Sequence, residues 1–213
     1  MMSQKNPGIL AIWNDCEPGS EDAFEEWYQH EHLLERIAVP GFLIGRRYEA
    51  VSSSPRYFCC YVTESPEVLT APPYLERLAN PTVMTRRMMS DTFHKTIRTI
   101  CRRTLRLGAM RGAAAVAVRF DAAIDPGELA AFAETLVRDR AVACVEVWSA
   151  ADASAVAISE EEKLRGGDGK ITACLLVETL READAETLAV TLKRRYPLGV
   201  VGIYRLLCEI RKE

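Results

Sequence analysis

An order of structural elements that occurs twice constrains this chain most. Residues 9–14 read as a buried strand, closed by Glu17-Pro18-Gly19. Ser20 heads a helix that runs to Ala38: Glu21 and Asp22 suit its positive end, and Phe24, Trp27, Tyr28, Leu34 and Ala38 fall at helical spacing. Pro40-Gly41 stops that helix, and strands follow at 42–50 and 57–63 across a Ser52-Ser53-Ser54-Pro55 turn. Residues 67–89 are helical but cut by Pro72, Pro73 and Pro81, and 96–107 is a strand. After the break Gly108-Ala109-Met110-Arg111-Gly112 the order recurs. It gives a strand at 114–120, a helix opened by Asp125-Pro126, strands at 143–149 and 171–178, a helix at 182–196 and a strand at 200–210. The expected fold is α+β: two tandem ferredoxin-like βαββαβ repeats, 1–107 and 113–213, joined by a linker at 108–112.

The last strand of the first half indicates how the halves meet. Ile97, Cys101, Leu105 and Leu107 share one parity, whereas His94, Thr96, Arg98, Arg102, Thr104 and Arg106 share the other. A period-2 split gives one core face and one polar face. Two such antiparallel sheets can face each other around a barrel-like cavity. Closure occurs either within the chain, as an internal pseudo-dimer, or between two copies, as a homodimer. Arg98 and Arg102, if directed inward, make that cavity basic and suited to a carboxylate, enolate or phenolate.

Composition removes several function classes. At 213 residues with a formal charge of −3, the chain carries no signal for a nucleic-acid or membrane partner. It has no apolar run long enough to span a bilayer, and residues 1–7 lack the apolar core of a signal peptide, so a cytoplasmic location is expected. Seven cysteines without C-x-x-C spacing read as small buried hydrophobes, and neither a zinc site nor another metal is expected. Gly166-Gly167-Asp168-Gly169 lacks the pattern of a phosphate cradle and reads as a turn.

The chemistry concentrates in Trp27-Tyr28-Gln29-His30-Glu31-His32. On a regular helix successive residues advance by about 100°, so His30 and His32 cannot share a pocket. Glu31 falls near the middle of the apolar stripe, where a carboxylate needs a partner; Arg46 and Arg47 on the next strand are the expected ones. Glu31 and Trp27 thus read as structural. His32, at the stripe edge, is the candidate proton-transfer group, with Tyr28 beside it. Asn14 at the end of the first strand, Arg46, Arg47, Tyr48, Arg98 and Arg102 are candidate substrate-binding residues.

These residues carry a resemblance. Phe24-Glu25-Glu26-Trp27-Tyr28-Gln29-His30-Glu31-His32, then Val39-Pro40-Gly41-Phe42 and Arg46-Arg47-Tyr48-Glu49, resembles the EthD-like branch of the dimeric α/β-barrel superfamily over about residues 8–107. The second half resembles a degenerate copy in element order alone and contains no histidine. The resemblance implies a small-molecule-binding barrel, with a small organic ligand as partner and no cofactor. The activities it suggests are a cofactor-independent isomerase, dehydratase or decarboxylase acting on an anionic or phenolic compound. A cofactor-independent monooxygenase of aromatic compounds and a non-enzymatic binding or assembly module are the alternatives.

Overall fold

The computed structural model describes residues 6–153 and 157–213. The first half runs β1 (Gly8–Cys16), α1 (Glu21–Trp27), a π-helical turn (Tyr28–His32), α2 (Leu33–Ala38), β2 (Phe42–Ala50), β3 (Tyr57–Thr63), a 3-10 turn (Pro66–Thr70), α3 (Pro72–Ala79), α4 (Val83–Asp91) and β4 (Phe93–Leu107). The second runs β5 (Ala114–Phe120), α5 (Pro126–Leu136), β6 (Val142–Ala150), α6 (Glu160–Leu164), β7 (Ala173–Thr179), α7 (Glu182–Arg195) and β8 (Val200–Arg211). Asp125 caps α5 as its sequence implies, accepting from the Gly127 N–H with Pro126 in the first turn. Ser20 precedes α1 without a side-chain cap bond. Instead, the Glu21 carboxylate accepts from the Gly19 N–H.

The strands form one closed antiparallel barrel in the order β1-β3-β2-β8-β5-β7-β6-β4. Two seams join the halves: β2 with β8, from Ile44 opposite Arg211 to Ala50 opposite Tyr204, and β4 with β6, from Cys101 opposite Ala150 to Leu107 opposite Val145. The barrel therefore closes within one chain.

Eight strands enclose a space that side chains alone can fill, and here they fill it. Ile9, Ala11, Trp13, Tyr48, Phe58, Cys60, Trp148, Leu176 and Tyr204 form a buried cluster in the lumen. Phe58 stacks between Trp13, at 4.7 Å, and Tyr48, at 5.0 Å. The opposite parity of the same strands, such as Leu10 and Ile12 in β1 and Tyr57, Cys59 and Tyr61 in β3, packs under α1–α4 in a separate core. Ala114, Val116 and Val118 pack likewise under α5 and α7. Both faces of the sheet are thus covered.

This arrangement corrects the reading of β4. Its apolar parity, Ile97 and Cys101, points into the lumen. Ile100, of the opposite parity, belongs to the core under the first-half helices, so Arg98 and Arg102 lie on the helix side and not in the barrel. A register shift between Arg103 and Leu105 then turns Leu105 and Leu107 toward the second-half core. The expected basic cavity between facing sheets is replaced by a packed lumen. Because Trp13 is fully buried at its centre, Trp13→Ala is expected to cost about 3–5 kcal/mol of unfolding free energy, measured by urea denaturation.

Candidate functional site

The π turn determines which side chains of the first long helix face the sheet. One extra residue per turn rotates everything after it by about 100° relative to a regular helix. On a regular wheel His32 stands at the edge of the stripe; after the turn it reaches the centre and is 3 % exposed. Arg36 rotates inward with it and is buried, while Leu34, expected on the stripe, rotates out to 49 % exposure. Ala38 is also exposed, and His30 faces solvent.

The turn also changes Glu31. Among the described residues its carboxylate meets no arginine. It accepts from Trp27 Nε1 at 3.2 Å, from Thr85 Oγ1 at 3.0 Å and from Thr82 Oγ1, tying the turn to the start of α4. The two arginines expected as its partners are taken elsewhere. Arg47 binds both Glu25 carboxylate oxygens, at 2.7 and 3.0 Å, and covers the Tyr28 ring at 4.0 Å. Arg46 is fully buried on the lumen side of β2, with Nε 2.9 Å from Glu209. Tyr48, on the same face, donates to Glu178 at 2.9 Å. Arg46 and Tyr48 therefore belong to the charged end of the barrel and not to the surroundings of His32. Arg111, from the break between the halves, also pairs with Glu178 there.

His32 lies between Trp27, whose ring centroid is 4.2 Å away, and Tyr28 at 5.2 Å. Its Nδ1 is buried with no hydrogen-bond partner. Beside it is a void of about 20 Å³, bounded by Tyr28, Arg36, Tyr74, Arg98, Glu161 and Arg165. That is room for about one water. Burial first, and then the guanidinium charges of Arg36, Arg165 and Arg47, hold the imidazole pKa well below its ordinary 6.5. Burial holds the Tyr28 phenol well above 10. At neutral pH the pair is a neutral imidazole and a neutral phenol under a positive field.

The second half closes this site. Glu161 of α6 pairs with the buried Arg36, and Arg165 binds Asp168 through two nitrogens at 3.0 and 2.7 Å and reaches Met89 Sδ at 3.1 Å. Gly169 donates to the Thr96 carbonyl and accepts from the Arg98 N–H, so the glycine-containing turn is laced to β4. No sequence signal marks Glu161 or Arg165. Arg36 is visible only as the residue one helical turn beyond His32.

Arg98 stands between two spaces. It borders the void at His32 and also a chamber of about 380 Å³ walled by Leu69, Leu78 and Ile100 on one side and by Ala150, Ile158 and Ile171 on the other. Its Nη2 donates to the Tyr74 hydroxyl at 2.9 Å. Arg102 sits on the outer rim, paired with Glu67 at 3.3 Å. Asn14 is buried and donates to the Asp15 carbonyl, and its Oδ1 has no partner among the described residues. The structure thus brings together His32, Tyr28, Trp27 and Arg98, with Arg47 stacked behind Tyr28.

No family model matches the chain, and no curated protein matches it at a significant level. Solved structures share its fold. A proposed monooxygenase from Fusobacterium nucleatum subsp. nucleatum superposes with a TM-score of 0.59 at 7% identity, over 99% of this chain and 96% of that one. An anthrone oxidase-like protein gives 0.61 at 10% identity, over 97% and 93%. A haem-binding protein from Thermus thermophilus gives 0.52 at 8% identity, over 96% and 92%. At these identities the likeness is one of fold alone. The histidines present do not fit a haem. His32 is stacked on Trp27 beside a one-water void, His30 is exposed, and His94 pairs with Glu17 on the surface.

The depressed His32 pKa carries a stability consequence. Below pH 6.5 the unfolded chain protonates this imidazole while the folded chain does not, so stability falls as pH falls from the unfolded pKa toward the folded one. The expected slope from this group is up to about 1.4 kcal/mol per pH unit. His32→Gln should remove that component in denaturation series compared across this window.

Proposed function

We propose that this protein binds a small anionic or phenolic compound against Arg98, in the space next to the one-water void at His32, and acts on it without a cofactor, as an isomerase, dehydratase or decarboxylase. The observation that carries the reading is the neutral imidazole of His32, its buried Nδ1 without a partner among the described residues, set next to the Tyr28 phenol and a void on a cationic wall. A neutral imidazole can accept a proton from a ligand C–H and return it at another carbon, which is an isomerisation, or pass it to a leaving hydroxyl, which is a dehydration. The positive field that suppresses His32 in the free protein favours the enolate or phenolate formed on the ligand. An anionic ligand offsets that field and raises the proton affinity of His32 when it is needed. Tyr28 remains protonated and serves as a hydrogen-bond donor.

The chain reads as two ferredoxin-like repeats, 1–107 and 113–213, in a single-chain form of the EthD-like barrel. Its proton-transfer residues belong to the half that carries the motif, and the other half closes the site with Glu161 and Arg165. We place it in the cytoplasm; among the described residues no helix is long and apolar enough to cross a membrane. The voids beside His32 and Arg98 favour a binding site over an assembly module. A second reading, a monooxygenase of activated aromatics, is supported by the fold shared with the Fusobacterium protein and the anthrone oxidase-like protein.

Deuterium incorporation from heavy water into candidate carboxylic acids and phenols, followed by NMR, tests the first reading. His32→Gln is expected to slow exchange or turnover by about 10²–10⁴-fold with the fold retained. Unchanged exchange in that variant would sink the assignment of His32. Oxygen consumption with phenols, without exchange, would favour the second reading.

A further inference from the structure

We propose that Arg98 recognises a carboxylate, and that the ligand is a monocarboxylate whose compact apolar body occupies the chamber of about 380 Å³ next to it. The inference rests on the reading that this site takes a small molecule, and it names the class.

The argument begins with which cations are already matched. Arg36 has Glu161, Arg47 has Glu25 and Arg165 has Asp168. Arg98 alone of the four has no carboxylate within ion-pair distance among the described residues; its one side-chain bond goes to a neutral hydroxyl, Tyr74. A guanidinium presents N–H groups in a fork that fits the two oxygens of a carboxylate. Arg98 is part of the chamber wall. Asp168 and Glu161 act on Arg98 from beyond ion-pair distance, but each is paired with Arg165 or Arg36, so the four arginines keep one positive charge in excess, which calls for one negative charge. A phosphate dianion would exceed it, and the remaining cation of the wall, Lys170, is shared with Glu162 at 3.5 Å.

The rest of the wall defines the body of the ligand. Leu69, Leu75, Leu78, Ile100, Ile158 and Ile171 line the chamber. Its volume holds roughly a dozen non-hydrogen atoms at about 30 Å³ each. Arg98 borders the His32 void as well, so the carboxylate end of an acid seated on it is the end nearer that void, while the body stays in the chamber. The far wall, Ile158, Lys170 and Ile171, comes from the second half. That half therefore contributes directly to ligand selection even though it lacks the motif.

Phenylbutyrate is a probe of suitable size, and phenylbutyramide and phenylbutanol are its uncharged counterparts. Calorimetric titration of the intact protein is expected to give binding of the acid at least about tenfold tighter than that of the amide or alcohol. Arg98→Gln should erase that preference. Leu75→Trp, which fills the chamber, should weaken all three. Tyr74→Phe, which keeps the charge and removes the competing hydroxyl, should leave the preference intact or enlarge it. Equal binding of acid and amide by the unaltered protein, no measurable binding of the acid, or a preference that survives Arg98→Gln would each overturn the inference. Because the acid–amide comparison needs no variant, misfolding of Arg98→Gln would not remove the test. His32→Gln should keep the acid preference while losing proton exchange, so the failure of the catalytic reading and the failure of this one are distinguishable.

Discussion

Closure of the sheet is the constraint on which everything else depends. Four strands taken from either half alone would leave two edges with unpaired backbone groups. Here β2 is satisfied by β8 and β4 by β6, so no edge remains and the lumen becomes an interior that must be filled. Large rings meet that need at the centre, with Phe58 stacked between Trp13 and Tyr48. At the end near the break between the halves, charge meets it instead. Arg46, Arg103 and Arg111 engage Glu209, Glu146 and Glu178, and Trp148 donates to Glu146. With the lumen packed, the space that Arg98 borders lies outside the barrel, between sheet and helices.

That displacement explains what is and is not legible in the sequence. Element order, the turn at Pro40-Gly41, the Asp125 cap and the break near Gly108 are local signals, and they can be read directly. The destination of a strand face is not local. The alternation along β4 distinguishes two faces, but which one enters the barrel depends on partners far along the chain. Alternation alone therefore puts Arg98 on the wrong side of the sheet, although it still belongs beside the site.

The helix misleads in a different way. Periodicity assumes one rotation per residue throughout, and the π turn at Tyr28–His32 breaks that assumption. The shift exchanges Leu34 for Arg36 on the buried face and supplies Glu31 with threonines in place of arginines. Glu161 and Arg165 are invisible because they arrive from a connection in the other half, of which the sequence marks only the glycine-rich turn at 166–169. Residues brought together by tertiary packing leave no spacing in the sequence.

The seam between β2 and β8 also constrains how the molecule is made. Ile44 meets Arg211, so the first hairpin stays open on one side until the last strand has been synthesised. Contacts of such sequence separation form slowly. Until they do, the edge of β2 is exposed to pairing with other chains, and the ribosome releases a protein whose first half has waited for its second. Arg36 waits as well, because its carboxylate lies at position 161. The single-chain barrel removes dependence on a partner's concentration, and it transfers that burden to the time needed to complete one polypeptide.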